Sequence, residues 1–346
     1  MNSDTLGRIH PAVRPVVLLM RPAFMFLVVS IALIGSASAS TSRHDLDSLA
    51  LAMAIGGWAL FAIAVNDYND RDVDRANLAH TGTRPLIDFD VSRSVFRAVL
   101  VTSVVVSLTA VAFVSVRSTI VLLCGFALAA AYSLPPMKLS SRGALTSFGL
   151  PLIYVVVPFL TGRWSANTQL DRHDLLLLAG LYVAFIGRLM LKDFRDHLGD
   201  RLYGKRTFLV RHGRERTSRT SALLTILGTS VILIAQDSPR FALLVIPLIV
   251  ISAVFTRRVG RDEWGHGDVY NIAIVAIAGR GILTMTLADL ALRSDPAVYL
   301  WWIVQAGLLI ITATAALRFA LASQHNPAAE SALPSVPPTW VPSTIT

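Results

Sequence analysis

Apolar residues occur along this chain in long blocks, separated by shorter stretches that carry most of the charged residues. A spanning helix needs about 20 mostly apolar residues. Ten segments answer that description: 16–38, 47–65, 95–115, 118–134, 144–162, 174–191, 220–235, 241–255, 270–292 and 298–321. The seventh and eighth are short and separated only by Gln236 to Arg240, so they form either two spans or one irregular hairpin. The pattern predicts an all-α fold, a polytopic transmembrane helix bundle of nine or ten spans within residues 16–322. Residues 1–15 precede it, and residues 323–346, rich in Pro, Ser, Thr and Ala without an apolar period, read as a disordered tail.

Composition supports the pattern. Of 346 residues, 54% are hydrophobic and 15% charged, against roughly 45–50% and about 25% in a soluble domain. That balance excludes a disordered chain, a disulfide-stapled secreted module and a typical cytosolic enzyme. The single cysteine, Cys124, excludes an internal disulfide and a cysteine-based metal site.

The net charge of +9 would point to nucleic acid in a soluble protein, but here the charge follows topology. Twenty-three of the 31 Lys and Arg residues fall in the N-terminus, the loops after even-numbered segments and the C-terminus. By the positive-inside rule those parts face the cytoplasm, which predicts a multi-pass cell-membrane protein that binds no nucleic acid. Arg14 and Arg21 precede an apolar run ending in the small residues 35–40, as in a cleavable leader. The basic region is too long for that and nothing downstream resembles a secreted domain, so an uncleaved first span is expected.

The chemistry lies in two acidic clusters. After segment two comes Asn66-Asp67-Tyr68-Asn69-Asp70-Arg71-Asp72-Val73-Asp74, and after segment six Lys192-Asp193-Phe194-Arg195-Asp196-His197-Leu198-Gly199-Asp200. Asp193, Asp196 and Asp200 repeat the spacing of Asp67, Asp70 and Asp74 at an offset of 126 residues, and four spans put both clusters on one cytoplasmic face. This suggests a duplicated four-helix unit. On a continuing helix such side chains share a face and repel one another, a cost that bound cations remove. Asp72, Asp88 and Asp90 lie off that face or further along the loop and are expected to be solvated. Hard oxygen ligands without Cys or paired His point to Mg2+ and a phosphorylated ligand.

At these residues the chain resembles the UbiA superfamily of intramembrane prenyltransferases. Asn66, Asp67, Asp70 and Asp74 match its N-D-x-x-D-x-x-x-D motif, and Asp196 and Asp200 its D-x-x-x-D motif. Tyr132 through Leu139 resembles the Y-S-x-P-P-x-[RK]-L stretch, Arg21-Pro22 the opening of the first helix, and Lys192-Asp193 through Gly204 and Thr207 the longer form of the second motif. Departures are a tenth candidate span and Thr207-Phe208-Leu209 where Leu-Pro often follows the Thr.

The resemblance implies a polyprenyl diphosphate donor bound through Mg2+ and transfer of its prenyl group to an acceptor that the sequence leaves unidentified. The expected metal ligands are Asp67, Asp70, Asp74, Asp193, Asp196 and Asp200; Asp67, Asp70, Asp196, Asp200 and Tyr132 are the expected catalytic residues. Asn66, Lys138, Lys192 and Arg201 are expected to contact substrate. Lys138, Lys192 and Arg201 are also explained as positive-inside residues, and Tyr132 as an interfacial-belt tyrosine.

Arg188 and Arg280 lie inside apolar spans, where a charge is expensive. Arg188 is near enough to the boundary to snorkel, which leaves Arg280, with Asp289, as a candidate internal polar contact. Two rival readings stand: transfer of a phosphoribosyl group to a polyprenyl phosphate on the same fold, and a membrane transporter, whose acidic residues belong at mid-membrane rather than at helix ends.

Overall fold

The apolar runs end well before the helices do. The computed structural model describes residues 19, 21–39, 45–78, 93–141, 144–166, 169–202, 204, 207–261, 266–294, 306–307, 309–310 and 313–314. Its helices, in chain order, are α1 (Pro22–Ala37), α2 (Asp45–Leu78), α3 (Arg93–Ala112), α4 (Val116–Ser133), a broken α5, α6 (Arg172–Leu202), α7 (Phe208–Gln236), α8 (Pro239–Arg261) and α9 (His266–Ser294). The fifth runs as Ala144–Pro151, a π-helical turn Leu152–Val156, and Val157–Arg163. Among the described residues, seven of these helices are long and apolar enough to cross a membrane; Pro22–Ala37 and Phe148–Arg163 are shorter apolar helices. The tenth segment at 298–321 falls largely outside the described residues, as do residues 1–15 and 323–346.

Two expectations change and one open choice is resolved. The acidic clusters are not loops: α2 continues to Leu78 and α6 to Leu202, because neither extension contains proline and residues 66–78 contain no glycine to stop the helix. Segments seven and eight are two separate helices rather than one hairpin, joined at Asp237 and Ser238, with Asp237 in the left-handed region at φ 44°. The basic stretch before segment seven belongs to α7, which starts at Phe208 behind a Thr207 cap and bends at Gly213, φ 78°.

The helices close into a ring. Each of α6 to α9 packs on the next, α9 returns to α1, α1 packs on α5 and α2, and α2 meets both α4 and α6. Trp58, Phe159, Phe241, Ile31, Leu122 and Leu287 fill the interior. The peripheral α3 and α8 turn Val101, Val105, Leu243 and Val250 outward, an apolar surface suited to lipid. The offset of 126 that relates the aspartates also carries Pro22–Ala37 onto Phe148–Arg163, and α2 nearly onto α6. The helix bounds therefore repeat with the motifs.

Small residues set the closest contacts, as expected where lipid leaves helix association to packing. A Cβ on Gly228 of α7 would sit 2.6 Å from the Gly180 carbonyl oxygen of α6, and one on Gly162 of α5 would strike the Ala32 backbone of α1. At the end remote from the acidic clusters, Arg163 donates from Nε to Asp174 Oδ2 at 2.6 Å and Ser38 Oγ donates to Asp174 Oδ1 at 2.7 Å, tying α1, α5 and α6 together. At the other end Arg214 binds both oxygens of Asp268 at 2.8 Å and the Val259 carbonyl at 2.6 Å, which fixes α7, α8 and α9. We expect Gly228→Ala to destabilise the fold by about 1–3 kcal/mol through overpacking, while Gly149→Ala, inside a helix where an added Cβ has open space, causes no loss and a gain of up to about 1 kcal/mol. Thermal unfolding in detergent measures both.

Candidate active site

Helical continuity brings the motif residues onto adjoining faces. On α2, Asn66 Nδ2 donates to Asp70 Oδ2 at 3.0 Å, one turn on, and Arg21, just before α1, pairs with Asp67. On α6, Asp196 accepts from Arg195 Nε at 3.0 Å, and Lys192 Nζ lies 3.4 Å from its other oxygen. Asp67, Asp196 and Asp200 are 3%, 7% and 5% exposed, which sets them apart from solvated helix ends, since aspartate is buried only where it is paired. Asp70 and Asp193 are half-buried. Asp74 lies on α2, but its side chain is outside those described, and Asp88 and Asp90 lie outside the described residues altogether.

Tyr132 stands where the two clusters meet. At the end of α4 and 6% exposed, it lies within electrostatic reach of Asp70 from the first cluster and of Asp193 and Asp200 from the second. Tyr154 is its neighbour, within reach of Arg21 and Asp67. The π-helical turn after Pro151 carries Tyr154, and such turns are frequent at functional sites. Its ring meets Phe24 edge-on at 4.6 Å and Trp58 at 6.0 Å, which holds it in place.

Arg21 and one of the expected substrate contacts, Lys138, have uncommon backbone geometry. Arg21 caps α1 at φ 44° and Lys138 follows α4 at φ 31°, its N–H donating to the Leu134 carbonyl at 2.8 Å. Positive φ costs a non-glycine residue energy and clusters at functional sites. Asp237 is the other such residue among those described.

Among the expected substrate contacts, Asn66 and Lys192 lie on the aspartates, whereas Arg201 is exposed and makes no ion pair with them among the described residues. Three residues were not singled out for the site from sequence: Arg195, Tyr154 and Arg21 as a partner of Asp67. Arg21 had a signal in its Arg-Pro dipeptide; Tyr154 had only the proline three residues before it.

Asp67, Asp196 and Asp200 form a buried, oxygen-only donor set, with cations already on Asp67 and Asp196, which fits a hard divalent ion bound together with an anion. A different group meets a distance test for metal ligands. Asp171, His173 and Asp174 offer atoms within 4.8 Å of one another, the one such trio among the described residues. Asp174 is spent there: one oxygen accepts from Arg163 and the Asp171 N–H, the other from Ser38. The trio also lies at the opposite end of α6, roughly 30 Å from Asp196 at 1.5 Å per residue, and is structural.

Residues 28–271 match the sequence model of the UbiA prenyltransferase family. Curated relatives include the chloroplastic chlorophyll synthases of Arabidopsis thaliana, 28% identical over 241 residues (63% of this chain and 60% of the relative), and of Oryza sativa subsp. japonica, 26% identical over 237 residues (63% and 61%). The chain thus spans about 60% of the length of these relatives. Among solved structures, a UbiA homolog from Archaeoglobus fulgidus bound to GPP and Mg2+ has a TM-score of 0.54 at 15% identity, covering 88% of this chain and 99% of that one. The apo UbiA homolog from Aeropyrum pernix K1 scores 0.58 at 18% identity, covering 75% and 96%. These structures share the fold.

A structural Arg163–Asp174 pair makes a specific prediction. Arg163→Gln and Asp174→Asn each leave a buried partner uncompensated and cost about 3–5 kcal/mol. The exposed pair Arg219–Glu215 contributes about 1 kcal/mol at most. Unfolding of Arg163→Gln, Asp174→Asn and Arg219→Ala side by side in detergent checks the contrast.

Proposed function

Since this chain belongs to the UbiA prenyltransferase family, we propose that it transfers a prenyl group from a polyprenyl diphosphate to an acceptor, releasing diphosphate, in a Mg2+-dependent reaction between α2 and α6. The observation that carries this is the burial of Asp67, Asp196 and Asp200, with Arg21 on Asp67 and Lys192 and Arg195 on Asp196, at the end of the bundle where Tyr132 lies within electrostatic reach of Asp70, Asp193 and Asp200. Solvated helix ends need neither burial nor paired cations. A fold neighbour bound to GPP and Mg2+ and relatives named as chlorophyll synthases support the same class of reaction.

Asp67, Asp70, Asp196 and Asp200, with Asp193 and Asp74, would hold the cation. A Mg2+ ion bound there would supply positive charge to neutralise the diphosphate and the charge that develops as the allylic C–O bond breaks. Arg21, Lys192 and Arg195 sit on the carboxylates that would face the diphosphate, so they are placed to donate to its oxygens; Lys138 follows the same helix end as Tyr132. Preorganised positive charge of this kind contributes several kcal/mol. The faces of Tyr132 and Tyr154 supply an aromatic wall for a developing allyl cation, about 1–2 kcal/mol each where desolvated. The isoprenoid tail enters the apolar interior, where each buried CH2 contributes about 0.8 kcal/mol and exclusion of water protects the cation from hydrolysis. The distribution of Lys and Arg supports a cytoplasmic position for this end of the bundle in a multi-pass membrane protein.

The test is a donor panel on purified protein in nanodiscs: geranyl, farnesyl, geranylgeranyl and phosphoribosyl diphosphates, each with and without Mg2+. Mg2+-dependent binding of an allylic diphosphate is expected, lost at least a hundredfold in Asp67→Ala and Asp196→Ala and unchanged in Asp171→Ala; the hundredfold is about 2.7 kcal/mol. Binding of phosphoribosyl diphosphate alone would move the reaction to phosphoribosyl transfer. Binding indifferent to Mg2+ and to both aspartates would overturn the proposal.

A further inference from the structure

A second charged site lies deeper in the same bundle. Arg188 is eight residues before Asp196 on α6, about 12 Å along the helix at 1.5 Å per residue. With Phe185 of the same helix it lines a cavity of about 70 Å3 whose other walls come from α1, α7, α8 and α9, among them Leu27, Thr229, Ser252 and Leu283. A water needs roughly 10–15 Å3 of such space, so the cavity holds a carboxylate- or phosphate-sized group but not a whole lipid or ring system.

Arg280, beside the cavity-wall residue Gly279 on α9, is 5% exposed and lies within electrostatic reach of Arg188. Its Nε and Nη2 are buried and without a hydrogen-bond partner among the described residues. The Oγ of Ser252, which faces the cavity, and Oγ1 of Thr256 one turn further on α8 are buried and unpartnered in the same way. Asp289, the acid singled out with Arg280 in the sequence, pairs instead with Arg293 at 2.7 Å.

The half-buried Arg188 and the Ser252 hydroxyl line this apolar cavity, the buried Arg280 and Thr256 lie next to its wall residues, and no acid among the described residues pairs with either guanidinium. Guanidinium does not shed its proton, and uncompensated buried charge costs several kcal/mol, so stability alone gives no reason for this arrangement. The internal repeat sharpens the point. The α2 position equivalent to Arg188, eight residues before Asp70, is Ala62, which is buried in the core. One half of the bundle packs this level with an alanine; the other places a cation there.

We propose that Arg188 and Arg280, with Ser252 and Thr256, form an anion subsite that takes the single carboxylate or phosphate of an otherwise apolar molecule, and that this molecule is the acceptor of the transfer reaction. Its naming as acceptor rests on the prenyl-transfer reading; the anion subsite does not. A cationic pair below the diphosphate site orients an amphiphilic acceptor by its acidic end and leaves the rest of the molecule to reach toward Tyr132.

The test uses full-length protein in phosphatidylcholine nanodiscs and the melting midpoint, which a ligand of the folded state raises. Oleate serves as the apolar acid, methyl oleate as its uncharged control and dioleoylphosphatidic acid as the bilayer source of an anion. Oleate is expected to raise the midpoint and methyl oleate to leave it unchanged. In Arg188→Gln and Arg280→Gln oleate is expected to bind about tenfold or more weakly, the loss of a hydrogen bond to a charged group. Both variants are expected to match or exceed the wild-type midpoint without ligand, because each removes an unbalanced buried charge. A lowered ligand-free midpoint would show that the arginines hold the fold together and would overturn the subsite, as would equal shifts from oleate and its ester. An equal shift from phosphatidic acid would make the occupant a lipid and overturn the acceptor assignment. Geranyl diphosphate with Mg2+, run on wild-type protein, reports separately on the donor: its failure would sink prenyl transfer and leave the anion subsite standing.

Discussion

Three carboxylates buried at one end of a helix bundle set the terms for this structure. Burying an ionised aspartate is costly unless opposite charge and hydrogen bonds surround it, and like charges at helical spacing add to that cost. Arg21, Lys192 and Arg195 meet it in part. A divalent cation, with the anion that travels with it, is the further positive charge that we propose for this cluster. Arg21 and Lys138 stand at backbone angles that a non-glycine residue seldom adopts.

The rest of the fold holds the two acidic helices in register. Gly180 and Gly228 let α6 and α7 approach until backbone meets backbone, and Gly162 does the same between α5 and α1. The Arg163–Asp174–Ser38 contact pins α6 at the far end, and Arg214 on Asp268 pins the helices behind it at the near end. With both ends fixed, α2 and α6 present their aspartates across Tyr132. The π-helical turn of α5 delivers Tyr154 to the first cluster.

The motifs were legible in the sequence because aspartates at one spacing, repeated at a fixed offset, are a pattern in residue order. The helix bundle was legible because hydropathy measures what a membrane requires. Hydropathy says nothing once a helix leaves the apolar layer, which is why 66–78 and 192–202 resembled loops and why α7 seemed to start at 220 rather than Phe208. Tyr154 was hidden because a π-helical turn shifts side-chain directions without changing composition. Arg195 was hidden because it reaches its immediate neighbour Asp196, a contact that helical spacing does not anticipate, and the Arg163–Asp174 pair because a connecting segment separates the partners.

The central claim is that the α2 and α6 aspartates act on one ion cluster rather than at two separate sites. A double-mutant cycle on Mg2+-dependent geranyl diphosphate binding, with Asp67→Asn, Asp196→Asn and the pair, tests it most directly, because groups sharing one network are non-additive while distant ones add. One shared site predicts that the double variant binds no more weakly than the worse single variant. Losses that add in full, within about 0.3–0.5 kcal/mol, would show two independent sites and contradict the account.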